Sequence, residues 1–93
     1  MAKVAKKKRS KEKRAPDGQH FILADGTHLH SIDELARAMG AMSDQTFFHH
    51  VTPHRNDFAT WIFHVFHDQK LANRLANEKD RGKIAAALKR RVK

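Results

Sequence analysis

The apolar residues change period several times along the chain, and each change predicts an element. In "HFILADGTHLHS", residues 20–31, Phe21 and Leu23 alternate with Ile22, Asp25-Gly26 follows, and Leu29 returns. That pattern predicts a hairpin in which Asp25-Gly26 supplies the positive φ angles of a tight turn. Strands this short must lean on helices to persist. From Ile32 the spacing lengthens. Ile32, Leu35, Ala36 and Met39 share one helical face, with Ser31 and Glu34 at capping-box spacing before it and Gly40 after it. The first helix is expected over about residues 32–39.

Ser43 is the next expected cap, and Phe47, Phe48 and Val51 predict a short second helix that Pro53 terminates, because the residue before a proline avoids the α region. Asn56 or Asp57 should cap a third helix carrying Phe58, Trp61, Ile62, Val65 and Phe66 on one broad face. Leu71 and Leu75, after Asp68, predict a fourth; Ile84, Leu88 and Val92, after Asp80, predict the last. The expected fold is mainly α: a short N-terminal β-hairpin followed by about five short helices in one compact domain.

Charge changes the picture more than overall composition does. Residues 1–19 hold eight Lys/Arg against two acids (+6), residues 20–78 hold four against seven (−3), and residues 79–93 hold seven against one (+6). A mildly acidic body is thus flanked by two basic ends. The first 19 residues contain little apolar material and read as a disordered basic tail, with Pro16, Asp17 and Gly18 marking the junction to a single domain over 20–93. The chain has no cysteine, which excludes disulfides and thiolate metal sites. No apolar run approaches a membrane span, and no apolar h-region follows the N-terminal charges. A cytoplasmic protein, associated with nucleoid or ribosome and without a membrane partner, is the expectation.

Five of the eight histidines fall in "HHVTPHRNDFATWIFHVFHD", residues 49–68. His64 and His67 are three apart on the third helix, but two imidazoles do not make a metal site. His50 and His54 are separated by Pro53, and no HExxH pattern is present. These histidines are therefore read as surface or turn residues, some hydrogen-bonded. Asp57 near His54 could form a dyad, yet capping explains the acid more simply. With no catalytic residue, no metal site and no cofactor indicated, the chain reads as non-enzymatic. Phe63 is the odd residue: at 100° per residue it falls outside the core stripe, and with His64 and His67 it could form a partner or self-association surface.

The segments "FILADGTHLHSIDELARAM", "MSDQTFFHHV" and "HRNDFATWI" resemble an uncharacterised family of small prokaryotic domains with a "DG…S-x-D-E-L" start and an "H-x-N-D-F-x-x-W-I" centre. The resemblance covers roughly residues 20–90. It implies a mostly helical domain with an N-terminal hairpin, in which His54, Asn56, Asp57, Phe58 and Trp61 supply a turn, a cap and core anchors. The chain departs from that pattern at Phe63 and His64, where a charged pair is expected, and in its lysine-rich N-terminal stretch.

The basic ends are the expected working parts. Lys3, Lys6, Lys7, Lys8, Arg9, Lys11, Lys13 and Arg14 form a polycationic arm; Lys83, Lys89, Arg90 and Lys93 lie opposite the apolar stripe of the last helix. Arg91 falls near that stripe and should extend its head outward. An arm and a basic helix face can grip phosphates of DNA or RNA without reading bases. Such tails also serve solubility or addressing, and "KKKRSKEKR" would pass as a nuclear localisation patch. Specific readout is not expected, since Phe63, His64 and His67 suit a major groove poorly.

Overall fold

The structure, a computed structural model, describes residues 14–92; the side chain of Val92 is not among the described features. The elements run β1 (Phe21–Ile22), β2 (His28–Leu29), α1 (Ile32–Ala41), α2 (Asp44–His50), β3 (Val51–Thr52), β4 (Arg55–Asn56), α3 (Asp57–Trp61), a π-helical turn (Ile62–Phe66), α4 (Gln69–Ala76) and α5 (Arg81–Val92). The mainly helical architecture with an N-terminal antiparallel hairpin and five α-helices is the one expected.

In the first hairpin Phe21 pairs with Leu29 and Ile22 with His28. Phe21 is half-buried and packs against the core; Leu29 and Leu23 are buried, and Ile22 is exposed. The connection differs from the expected tight turn. Only Gly26 has a positive φ, 95°, and Asp25 does not. The Gly26 N–H donates to the Leu23 carbonyl, and the Leu23 N–H to the Thr27 carbonyl. This is a three-residue loop with its glycine in the left-handed position. Asp25 instead accepts the Thr27 backbone N–H through Oδ1 at 2.9 Å, which holds its carboxyl below the ordinary range.

Local capping fixes most helix starts. Ser31, Ser43, Asn56 and Asp68 accept N–H groups of the first turns of α1, α2, α3 and α4. Asp80 Oδ1 does so for α5, accepting from Gly82 and Lys83. Each cap is typically worth ~1 kcal/mol. α1 does not stop before Gly40, as the sequence suggested, but runs through it to Ala41. A left-handed glycine is unnecessary there because Arg81 serves the helix end: Nε donates to the Met39 carbonyl (2.9 Å), Nη2 to the Met42 carbonyl, and Nη1 to Asp44 (2.8 Å).

The core joins these pieces. Leu35, Met39, Phe47, Phe58, Ile62, Leu75, Ile84 and Leu88 are all fully buried, and α1 packs most extensively against α5. One expectation fails around Pro53. Phe48 lies in α2 as expected, 60% exposed, but Val51 belongs to a strand. Pro53 and His54 form the turn of a second hairpin, with Val51 paired to Asn56 and Thr52 to Arg55. Thr52 Oγ1 accepts the N–H groups of both His54 and Arg55 and closes that turn. The third helix also changes winding after Trp61, so Ile62–Phe66 form a wider turn that ends at His67 with a φ of 56°.

The folded body begins earlier than residue 20. Arg14 bridges to Ser31, the Ala15 N–H donates to the His30 carbonyl (2.7 Å), and the Trp61 indole N–H donates to the Gln19 carbonyl (2.8 Å). Residues 14–19 are therefore tied to the domain, contrary to the tail boundary drawn from composition.

Candidate nucleic-acid interface

α4 and α5 lie side by side, leaving between them a groove of about 250 Å³ lined by Asp68, Lys70, Leu71, Arg74, Ala87, Arg90 and Arg91. The helices present cations here because their apolar faces are narrow. On α4, Leu71, Ala72 and Leu75 are buried and leave Lys70 and Arg74 exposed, four residues apart on one side. On α5, Ile84, Ala87 and Leu88 are buried, while Arg90 lies exposed beyond them.

Pairing separates these cations from the rest. Arg14 pairs with Glu34, Arg37 with Asp33, Arg55 with Asp57, Arg81 with Asp44 and Arg91 with Asp68. Among the described residues, the Lys and Arg side chains without an acidic partner are Lys70, Arg74, Lys79, Lys83, Lys89 and Arg90. All fall between positions 70 and 90, on α4, on α5 or in the connection between them. The groove has one internal acid, Asp68. It is committed twice: Oδ1 caps α4 at the Leu71 N–H (3.1 Å), and Oδ2 accepts from Arg91 Nε (2.5 Å).

The sequence-predicted phosphate-contacting residues are thus divided. Lys3, Lys6, Lys7, Lys8, Arg9, Lys11, Lys13 and Lys93 lie outside the described residues. Arg14 is described, but Glu34 engages it at 3.3 Å. Arg90 lines the groove. Lys83, seven residues earlier, falls on the same side of α5 by the helical period, and Lys89 about 100° away. Sequence reasoning did not select Lys70 and Arg74, because they sit in a stretch of net negative charge; only the packing of α4 on α5 places them beside Arg90. Arg91 extends outward as expected and meets Asp68.

The second predicted surface sits on the π-helical turn and its exit. Phe63 is 44% exposed and its ring meets that of His64 edge-on, with centroids 5.1 Å apart. His64 and His67 are exposed, and the His67 N–H donates to the Phe63 carbonyl. These three residues are therefore neighbours on the surface.

His50 departs from its reading as a surface or turn residue. It is 5% exposed, and its Nε2 accepts the Ala24 N–H at 3.0 Å, so the proton resides on Nδ1, 3.0 Å from Asp57 Oδ2. Asp57 thus meets His50 rather than the exposed His54. With both nitrogens bound, the pair joins the first hairpin to the start of α3 and leaves no ring nitrogen for a substrate. Among the described residues no group of three or more His, Cys, Asp or Glu is arranged to hold a metal ion, and no helix is long and apolar enough to cross a membrane. Compared with protein-family models, curated proteins and solved structures, the chain matches none. The motif resemblance therefore rests on its own residues: Asn56 is the α3 cap, Phe58 and Trp61 are buried, and His54 lies in the turn.

Proposed function

We propose that the protein binds nucleic acid through its phosphate backbone, without reading base sequence and without catalysis. The carrying observation is that every described cation lacking an acidic partner lies on α4, α5 or their connection, three of them (Lys70, Arg74 and Arg90) lining one groove. Cations with no internal partner are free to replace the counterions condensed on a polyanion, and the released counterions drive binding. No Asn or Gln lines the groove to read adenine, and its one acid, which could accept from cytosine, is occupied. The lysine-rich stretch before Arg14 would add further phosphate contacts.

The test is titration of the whole chain against duplex DNA and single-stranded RNA at 50 and 200 mM salt. Affinity should fall steeply with salt, and Arg74→Glu/Arg90→Glu should lower it at least tenfold and reduce the salt slope by about two. Deleting residues 1–13 should lower the slope further while leaving the helical signal intact. No binding to either polymer at 50 mM salt would end this reading.

A second reading, a protein-interaction or self-association surface at Phe63, His64 and His67, draws on the exposed ring pair and on the irregular winding beneath it, since π-helical turns often occur at functional sites. It requires Phe63→Glu to change the mass seen by light scattering. A monomer in both forms would remove self-association.

A further inference from the structure

The first hairpin is flanked by histidines that phosphate binding does not use. Its pairing, Phe21 with Leu29 and Ile22 with His28, directs alternate side chains to opposite faces. Phe21 and Leu29 face the core. His20, His28 and His30 fall on the other face, where the His20 ring lies 4.6 Å from that of His28 and 4.8 Å from that of His30. His20 Nε2 is buried without a hydrogen-bond partner. On the core side, His50 packs edge-on against Phe21 (5.0 Å) and accepts the Ala24 N–H of the hairpin loop.

The bond from the Ala24 N–H requires a bare Nε2 and so a neutral His50 ring. Protons on His20 and on either His28 or His30 would put two positive rings in contact. A proton on His50 Nε2 would replace an acceptor by a donor facing the Ala24 N–H, abolishing that bond. The nearby acids attract charge on His30 and His50, but each already has another partner. Glu34 of α1 accepts the His30 N–H and is shared with Arg14, and Asp57 of α3 is shared with Arg55 of β4. Asp25 in the loop is turned to its own backbone, and His49 of α2, 4.8 Å from His50, would add positive charge. Histidine is the side chain that ordinarily changes charge between pH 5 and 8.

We propose that the hairpin and the segment ahead of it, residues 14–30, form an acid-sensitive clasp that neutral histidines hold on the body and protonation releases. Residues 1–13 join the body through this segment, so its release would change where the lysine-rich stretch leaves the domain. The clasp rests on the hairpin geometry and stands or falls independently of phosphate binding.

Trp61, the chain's only tryptophan, reports on it directly: its indole N–H donates to the Gln19 carbonyl, and its ring meets Phe21 edge-on at 5.5 Å. The experiment follows Trp61 emission and far-ultraviolet circular dichroism of the whole chain from pH 8 to 5. Emission should shift to the red while the helical signal holds. His20→Phe/His28→Phe, which keeps rings but removes two protonation sites, should move that transition at least half a pH unit lower. If the double variant does not fold, His28→Gln at its exposed position carries the same prediction with a smaller shift. Unchanged emission over this range, loss of the helical signal at the same pH, or an unmoved midpoint in the folded variant would each overturn the clasp.

Discussion

The turn leading into α3 and the groove between α4 and α5 are both rich in polar side chains, but they use them in opposite ways. Between His49 and Asp57, the fold consumes polarity. His50 binds Ala24 and Asp57, Arg55 binds Asp57 and the His49 carbonyl, and Asn56 takes two N–H groups and gives one to the Leu75 carbonyl. In the groove, Lys70, Arg74 and Arg90 make no ion pair among the described residues, and only Asp68 and Arg91 are joined. Polar density is thus a poor guide to function. What separates the two regions is whether each group's hydrogen-bonding and charge requirements are already met within the chain.

The sharpest way to test this contrast is to remove a consumed group. Asn56 is 5% exposed, and Asn56→Ala would strip the α3 cap and take one donor from the Leu75 carbonyl, which keeps the Glu78 N–H. Losing the cap costs ~1 kcal/mol, and the lost buried hydrogen bond adds about 1 kcal/mol. Urea unfolding should show a total loss of about 2 kcal/mol, whereas Arg74→Ala, in the groove, should stay within about 0.5 kcal/mol. Equal losses would erase the distinction.

The two regions were not equally legible in the sequence. Every helix cap is a local pattern, so Ser31, Ser43, Asp68 and Asp80 could be read directly, and the α3 cap was narrowed to Asn56 or Asp57, of which the structure uses Asn56. The core stripes followed from period. The second hairpin was not readable, because its two-residue strands carry no period and Pro53 resembles a helix stop. Gly40 resembles a helix stop too, until Arg81, distant in sequence, is seen to satisfy the carbonyls there. His50, the three stacked histidines and the Lys70–Arg74–Arg90 groove all depend on which elements pack together, and spacing along the chain does not specify that.

Asp68 belongs to both regimes, which makes it the place to convert one into the other. Asparagine caps helices about as well as aspartate, so Asp68→Asn should leave stability within about 0.5 kcal/mol. It would release Arg91 from its acid and add one unpaired cation to the groove. Affinity for duplex DNA at 50 mM salt should then rise severalfold, with the salt slope steeper by about one. An unchanged slope would mean that the groove does not contact phosphate.

Gly40 tests how fully Arg81 has replaced a glycine cap. Its φ is not in the left-handed region, and a Cβ added there meets nothing within 4 Å. Gly40→Ala should therefore stabilise the fold by up to about 1 kcal/mol through helix propensity alone. Destabilisation would show that the end of α1 still needs glycine.

The smallest effect is expected at Glu34, where a consumed group is also titratable. Burial works to raise its carboxyl, but the His30 backbone N–H, the charge of His30 and Arg14 outweigh this and hold it below its ordinary value of 4.5. A carboxylate with a depressed folded-state pKa contributes stability that is complete above the unfolded value and is lost as pH falls through the folded one. While residues 14–30 stay on the body, the stability difference between the parent chain and Glu34→Gln should therefore be constant from pH 7 to about 5, shrink below 4.5, and disappear in stronger acid; release of that segment at a higher pH would end the difference there. Thermal melts of both proteins across this range check the sign. A difference that persists at pH 3 would mean that the side chain's shape at the Arg14–His30 seam matters there and its charge does not, so even this exposed-edge carboxylate would belong wholly to packing.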